Sequence, residues 1–249
     1  MTQVGFSTLG FPGRPVTDVL KVATRHGADL VQLRIADDEP VNPDMSARAR
    51  HTVKRQFLDA GIGFGALATY VKLSDPGLGE PLRAHLDLAA DLGSPALRLF
   101  PGDAEPGLAA ERLGRAVEIA AEMPVRLTVE THDAFLTGTQ IAELLSAVDG
   151  RAGAVWDLLH PWRAGESVPI TANALWPHLA EFQIKDVPSI GDLRPLIPGT
   201  GVLPIANTLA MIRDRGFDGP IVFEHEAKWR FDADPFEEAL AAAMRLAKP

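Results

Sequence analysis

Eight short runs of strand-forming residues recur along this chain, and segments with the apolar spacing of a helix separate them. The runs occupy residues 4–8, 30–35, 63–69, 96–100, 126–131, 154–158, 181–186 and 221–226. Parallel strands cannot be joined by a tight turn, so each pair needs a long connection, which is usually a helix. The alternation therefore predicts repeated βα units around a parallel sheet.

The segments between the runs support this interpretation, because their apolar residues recur with a helical period. In the first interval, the stripe consists of Val16, Val19, Leu20 and Ala23. Gly27 follows as a helix stop, and similar stripes precede Gly150 and Gly216. Asp234 followed by Pro235 predicts a cap and first turn for the last helix.

The length of the chain selects among the folds that such units can build. A closed barrel of eight βα units commonly takes about 250 residues, and this chain has 249. No linker or low-complexity segment interrupts the rhythm, so we predict one domain over residues 1–249. An open doubly wound sheet is the alternative, but its glycine fingerprint is missing after the first strand. We therefore expect an α/β fold of the (β/α)₈ TIM-barrel class.

Composition excludes several classes of partner. The formal net charge is −9, and no run of Lys and Arg forms the basic stripe that a nucleic-acid backbone requires. With no cysteine, the chain has no disulfide framework, thiolate metal site or cysteine nucleophile. No stretch approaches the ~20 apolar residues needed to cross a bilayer. We expect a soluble cytoplasmic protein that binds neither nucleic acid nor membrane.

Polar residues collect at the ends of the last four predicted strands, where the loops of a barrel build an active site. These residues are Glu130, His132, Asp157, His160, Gln183, Lys185, Glu224 and Glu226. Side chains alternate along a strand, so residues two apart point to the same side. Glu130 and His132 are therefore predicted to point into the barrel together.

Four of these side chains predict a metal site, namely Glu130, Asp157, Gln183 and Glu224. Three carboxylates that converge with an amide oxygen repel one another and are costly to desolvate unless a cation lies between them. Oxygen ligands without thiolate favour a hard divalent ion, Mn²⁺ or Mg²⁺ first, with Co²⁺ and Zn²⁺ as further candidates. The alternative for the glutamates is an ion pair with Lys or Arg at the barrel rim.

These motifs resemble the xylose isomerase-like barrels of the AP endonuclease 2-type superfamily, which include sugar phosphate isomerases and epimerases. The likeness runs nearly end to end. VETHD is similar to that family's Glu-x-His on the fifth strand, and WDLLHPWRAGE is similar to its Asp-x-x-His on the sixth. QIKD is similar to its His-x-Lys-Asp, IVFEHE to its terminal Glu, and PGTGVLPI to its Gly-x-Gly loop before the seventh helix.

The resemblance implies a role for each residue of the motifs. By this resemblance the metal ligands are Glu130, Asp157, Gln183 and Glu224, whereas His132, His160 and Lys185 face the substrate. Gln183 departs from the pattern, because most relatives have histidine there, and this lowers the expectation of zinc. Hydroxypyruvate isomerase-like and some dehydroshikimate dehydratase-like members also have glutamine at this position, so the residue does not separate isomerases from lyases.

The predicted chemistry is proton transfer next to a carbonyl through a metal-stabilised enediolate. Glu130 and Glu224 would act as base and conjugate acid on opposite sides of the substrate. Lys185 would stabilise an oxyanion, or bridge structurally to Asp157 or Glu224. His132 and His160 would bind substrate oxygens or orient ligating carboxylates, the alternative being ordinary hydrogen-bonded histidines in loops.

Other residues carry weaker predictions. Trp162 is predicted to wall the substrate pocket or to pack against helices, and Arg194 to meet a phosphate or carboxylate of the substrate. Gly199 and Gly201 offer backbone amides to an anion or form an ordinary turn. Residues of the first four strands are further candidates for the barrel mouth, as opposed to solvated or rim positions: Gln32, Arg34, Tyr70, Lys72 and Arg98.

The leading functional prediction is an isomerase or epimerase of a small sugar, sugar phosphate or keto-hydroxy acid, a small polyhydroxy carbonyl compound. A dehydratase of the 3-dehydroshikimate or keto-inositol type is the alternative, in which the same intermediate expels a hydroxyl group. A DNA-repair endonuclease would need histidine-rich metal ligands and a basic surface, and the chain has seven histidines in all. A catalytically silent sugar-binding barrel is the remaining class. A homo-oligomer is compatible with each.

Overall fold

The computed structural model describes residues 2–248, which form one parallel sheet surrounded by helices. The strands are β1 (Val4–Ser7), β2 (Leu30–Gln32), β3 (Gly63–Phe64), β4 (Leu67–Lys72), β5 (Ala96–Phe100), β6 (Arg126–Glu130), β7 (Ala152–Asp157), β8 (Leu179–Ile184) and β9 (Ile221–Phe223). They pair in the order β3-β2-β1-β9-β8-β7-β6-β5-β4. Every neighbouring pair is parallel, as the βα alternation predicts.

Nine strands form where eight are predicted, because the third run is divided. β3 and β4 belong to that run, and Gly65 and Ala66 interrupt it. Beyond the interruption, Ala68 N donates to Leu33 O and Ile35 N donates to Ala68 O, each at 2.9 Å. These bonds join β4, at one edge of the sheet, to the residues that follow β2 and nearly close the barrel, so the predicted (β/α)₈ class is confirmed.

The helices lie between the strands and cover the outside of the barrel. They are α1 (Val16–His26), α2 (Ala47–Ala60), α3 (Gly79–Leu92), α4 (Pro106–Ala120), α5 (Gly138–Ser146), α6 (Leu159–Arg163), α7 (Val168–Leu175), α8 (Ile205–Asp214) and α9 (Phe236–Ala247), with a 3₁₀ turn at Thr8–Gly10. α1 ends where its stripe predicts, at Gly27, whose φ of 66° lies in the left-handed region that glycine adopts freely.

The start of α9 differs from the prediction. Its cap is Pro235, and no side chain caps its first turn. Asp234 does not cap the helix, because its Oδ2 accepts a hydrogen bond of 2.8 Å from Ile197 N in the loop after β8. The residue that looks like a helix cap in the sequence instead joins two loops on the carboxyl-terminal side of the barrel.

The core is a layer between sheet and helices, continued inside the barrel by inward-facing side chains. Trp156 and Phe182, on adjacent strands, pack edge to face with ring centroids 5.0 Å apart. Both are at most 1% exposed. Across residues 2–248, no helix combines the length and apolar character required to span a bilayer.

Candidate active site

Three carboxylates from different strands meet at the carboxyl-terminal end of the barrel. Glu130 ends β6, Asp157 ends β7, and Glu224 follows β9. One oxygen of each lies within 4.8 Å of the others, and no side chain of the three is more than 5% exposed. Such proximity of buried acids requires positive charge nearby, because neither water nor distance relieves their repulsion.

Lys185 supplies positive charge to this cluster from the residue after β8. Its Nζ lies 2.7 Å from Asp157 Oδ2, 2.5 Å from Glu224 Oε2 and 2.6 Å from Glu226 Oε1. Burial opposes its charge, but the three carboxylates raise the pKa of Lys185 well above its ordinary value. The structural bridge expected as one role of Lys185 is therefore present, and the ammonium group remains charged at neutral pH.

Arg98, in the middle of β5, is the second buried cation. Its guanidinium donates to Glu130 Oε2 and to Thr69 O, and it lies over the Phe100 ring at 3.9 Å from the centroid. Burial raises the pKa of Glu130 to about 7, against the opposing charge of Arg98. Sequence reasoning placed Arg98 only at the barrel mouth. The missed signal is a charged residue between Leu97 and Leu99, because a buried charge needs a partner.

Gln183 lies beside Asp157 in the strand register but is held differently from the carboxylates. Its Nε2 donates to Glu181 Oε1 at 2.9 Å, and Gln32 Nε2 donates to the same oxygen at 2.7 Å. Oε1 of Gln183 is buried and has no hydrogen-bond partner among residues 2–248. Burial raises the pKa of Glu181 to about 7, although both amides favour its charged form.

The two histidines lie against each other on one side of the cluster, with ring centroids 4.6 Å apart. His132 Nδ1 is hydrogen-bonded to Asp133 Oδ1 at 2.9 Å, and Asp133 has a φ of 51°, which is uncommon outside glycine. Burial opposes protonation of His132, but Asp133 and Glu130 raise its pKa.

His160, on α6, is buried, and neither ring nitrogen has a hydrogen-bond partner in the described chain. Burial first, and then the charge of Lys185, lower the pKa of His160 well below its ordinary value. The ring is therefore neutral at physiological pH. Its Nε2 lies 3.5 Å from Asp157 Oδ2, which places a neutral donor or acceptor at the edge of the carboxylate cluster.

A cavity of about 300 Å³ opens above the carboxylates. Its polar and aromatic lining includes Arg34, Tyr70, Lys72, Arg98, Glu130, His132, Asp133, Glu224, Glu226 and Trp229. The first strands therefore contribute to the mouth through Arg34, Tyr70, Lys72 and Arg98, four of the five candidates from that part of the sequence.

Four residues with weaker predictions lie elsewhere. Trp162 is half-buried and packs against the hydrophobic core, and Arg194 lies 3.5 Å from Asp234 Oδ1. Neither is among the described residues that line the cavity. The backbone amides of Gly199 and Gly201 both donate to Asp186 Oδ2, at 2.8 and 2.9 Å. Since a side chain already satisfies these amides, this loop is an ordered turn and does not offer them to an anion.

Comparison with known proteins places this geometry in a family. The model of the xylose isomerase-like TIM barrel family matches residues 20–248, most of the chain. The chain belongs to that family. The resemblance found in the motifs is thereby confirmed, together with the barrel fold.

Individual proteins are similar to this chain in sequence or in fold. A putative hydroxypyruvate isomerase of Streptomyces coelicolor is 28% identical over 210 residues, covering 70% of this chain and 73% of that protein. D-psicose 3-epimerase of Clostridium cellulolyticum superposes with a TM-score of 0.82 at 14% identity, covering 99% of this chain and 98% of the other. A probable 3-DHS dehydratase of Bacillus anthracis gives a TM-score of 0.81 at 18% identity, covering 100% and 99%.

Proposed function

We propose that this xylose isomerase-like protein is a divalent-metal-dependent isomerase or epimerase of a small sugar, sugar phosphate or keto-hydroxy acid. The observation that carries the proposal is the cluster of Glu130, Asp157 and Glu224. One oxygen of each lies within 4.8 Å of the others, below a small cavity. The similarity to a putative hydroxypyruvate isomerase supports the isomerase class.

The donor set fits a hard divalent cation. Three carboxylates converge, and the buried Oε1 of Gln183 has no hydrogen-bond partner among the described residues. We propose that Glu130, Asp157, Gln183 and Glu224 hold one ion, Mn²⁺ or Mg²⁺ first, with Co²⁺ or Zn²⁺ as alternatives. When bound, the ion would supply positive charge that polarises a substrate carbonyl and stabilises the negative charge left after deprotonation.

The residues of the chain would divide the proton transfers between them. Either Glu130 or Glu224 takes the α-proton of the substrate, and the other returns a proton to the opposite face or to the next carbon. Return to the opposite face gives an epimer, whereas return to the next carbon gives an isomer.

Binding of the substrate would fall to residues around the cavity. His132 lines the cavity, and its hydrogen bond to Asp133 uses Nδ1, which leaves Nε2 available to a substrate oxygen. His160 lies outside the cavity lining, and from 3.5 Å it would orient the carboxylate of Asp157. Lys185 would offset the negative charge of Asp157, Glu224 and Glu226, which its ammonium group contacts, during the proton transfers. Trp162 and Arg194 have no part in this proposal, because they lie outside the cavity lining.

The first test is the metal content of the purified protein. We expect about one divalent ion per chain in the wild type, and weaker retention in Glu130→Gln, Asp157→Asn and Glu224→Gln. Glu143→Gln is the matched control, because Glu143 is an exposed carboxylate on α5. Absence of metal from the wild type, even after supplementation, would contradict the proposal.

The second test is proton exchange in the metal-loaded protein. Hydroxypyruvate and a panel of ketoses and their phosphates are incubated in D₂O, and loss of the α-proton is followed by NMR. We expect exchange that falls by roughly 10²–10⁴-fold in Glu130→Gln or Glu224→Gln. Appearance of a conjugated ultraviolet absorber instead of deuterated isomer would assign the dehydratase reaction. No exchange with any compound of this panel would contradict the proposed isomerase or epimerase reaction.

A further inference from the structure

Glu181 is a buried acid that the proton-transfer scheme does not use. It lies on β8 two residues before Gln183, so both side chains point to the inside of the barrel. It is only 2% exposed and is not among the residues that line the cavity. A carboxylate buried in this way is costly unless it forms hydrogen bonds, so its partners indicate what it does.

Its partners are two glutamine amides. Gln183 Nε2 and Gln32 Nε2 donate to the same oxygen, Oε1 of Glu181, at 2.9 and 2.7 Å. The second bond crosses the barrel from β2, which does not pair with β8. In both glutamines Oε1 is buried without a hydrogen-bond partner in the described chain. Both amides therefore use their donor side on Glu181 and leave their acceptor side free.

An amide side chain can bind a cation through only one of its two ends. The carbonyl oxygen is an acceptor, whereas the NH₂ group carries only donors and repels a cation. An ionised carboxylate has no proton to donate, so it accepts from the NH₂ group and disfavours the flipped amide. Glu181 thus selects the amide orientation in which Oε1 of Gln183 is left without a partner. Gln183 is paired with Asp157 in the register of β7 and β8, so this oxygen is offered on the side of the carboxylates.

We infer that Glu181 is a positioning residue that fixes the amide of Gln183 so that its oxygen, and not its NH₂ group, is offered to the divalent ion. The inference rests on the proposed metal site. It explains why an acid is retained beneath three other acids, where it adds to their repulsion. Loss of a partner that orients a metal ligand typically weakens metal affinity by roughly 10–100-fold.

A double-mutant cycle measured by Mn²⁺ binding tests this inference. The variants are Glu181→Gln, Gln183→Glu and the double variant, and calorimetric titration measures Mn²⁺ binding to each. We expect Glu181→Gln to weaken Mn²⁺ binding by roughly 10–100-fold, because an amide at 181 can donate to Gln183 Oε1 and stabilise the flipped orientation. Thermal unfolding in chelator shows that each variant is folded.

The double variant separates positioning from a general structural effect. With glutamate at 183 there is no amide to flip, and glutamine at 181 can donate to the new carboxylate. We therefore expect Glu181→Gln to strengthen Mn²⁺ binding in the Gln183→Glu background, opposite to its effect in the wild type. Gln32→Met is the matched control, because it removes the other bond to the same oxygen. We expect it to change affinity by no more than about twofold.

The outcomes are decisive in each case. Unchanged affinity in Glu181→Gln, or the same loss in both backgrounds, overturns the inference. If Glu181→Gln alone does not fold, the Mn²⁺ affinities of Gln183→Glu and the double variant are compared. Stronger binding in the double variant supports the inference, and equal or weaker binding overturns it. A wild type that binds Mn²⁺ without turning over a substrate contradicts the proposed reaction and leaves this inference intact, whereas a wild type that binds no divalent ion overturns both.

Discussion

At the scale of single residues, the balance of buried charge controls the candidate site. Glu130, Asp157 and Glu224 lie together, and Lys185 and Arg98 are the buried cations that contact them. A divalent ion bound by the carboxylates would have to compete with both cations for the same oxygens. The affinity of the site therefore depends on how firmly Lys185 and Arg98 hold those oxygens, as well as on the ligands.

Replacement of Arg98 tests this competition at Glu130. The positive charge of Arg98 lowers the pKa of Glu130 from the higher value that burial alone would produce. In Arg98→Met that pKa rises above about 7, so protons compete with the metal up to a higher pH. Since metal binding requires the ionised carboxylate, we expect the pH at which Mg²⁺ affinity falls to half its plateau to move upward.

The control for this prediction is a variant that keeps the positive charge at position 98 but changes the shape of the side chain. Arg98→Lys retains a cation beside Glu130, so its midpoint is expected to stay near that of the wild type. Titration of Mg²⁺ binding against pH measures both variants. A midpoint that moves to lower pH in Arg98→Met would show that Arg98 does not stabilise the ionised form of Glu130.

Side-chain alternation explains how far the site could be predicted at this scale. Glu130 and His132 line one cavity, and Glu224 and Glu226 both contact Lys185, so the alternation predicts the shared sides although only Glu130 of these four lies within a strand. The role of Arg98 could not be read in the same way, because its partner is 32 residues away on another strand. Local spacing identifies a shared face but not a contact between neighbouring strands such as β5 and β6.

At the scale of elements, the loop between β8 and α8 is organised by one carboxylate. Asp186 is buried and accepts hydrogen bonds from the backbone amides of Val187, Gly199, Gly201 and Leu203. A Cβ on Gly201 would lie 2.3 Å from Asp186 Oδ1, so only glycine allows this close approach. The loop directly follows Lys185 and therefore supports the position of that residue.

Removal of this carboxylate should destabilise the protein. Asp186→Ala leaves the four backbone amides without their acceptor, and hydrogen bonds to a buried charged group are strong. We expect a loss of at least about 3 kcal/mol in the free energy of unfolding, measured by urea denaturation. Asp192→Ala, an exposed carboxylate of the same loop, should cost no more than about 1 kcal/mol. Equal losses in both variants would contradict this account of the loop.

The elements themselves were predictable because each strand and helix carries its own pattern. All eight strand runs contain strands, and α1 ends at the predicted glycine. Two features required the folded barrel. The third run is split at Gly65 and Ala66, where the two edges of the sheet meet. Asp234 binds a loop amide in place of capping α9, because Ile197 is brought next to it only by tertiary structure.

At the scale of the whole molecule, the chain carries an excess of negative charge, with a formal net charge of −9. Three of its acids converge at one end of the barrel, so part of the self-repulsion of the protein is concentrated in the candidate site. A cation that binds there relieves this repulsion, whereas one that remains in solution only screens the surface. The two effects differ in their dependence on concentration and on ion charge.

Thermal unfolding with added divalent ion distinguishes these effects. A ligand that binds only the folded state, at a concentration a hundredfold above its Kd, adds about 2.7 kcal/mol to the free energy of unfolding. For a chain of this size, this raises Tm by roughly 5–10 °C. We expect this rise with Mn²⁺ in the wild type and in Glu143→Gln, and its loss in Asp157→Asn. Na⁺ at matched ionic strength controls for screening of the net charge. An equal rise with Na⁺, or in Asp157→Asn, would mean that the carboxylate cluster is not where the ion acts.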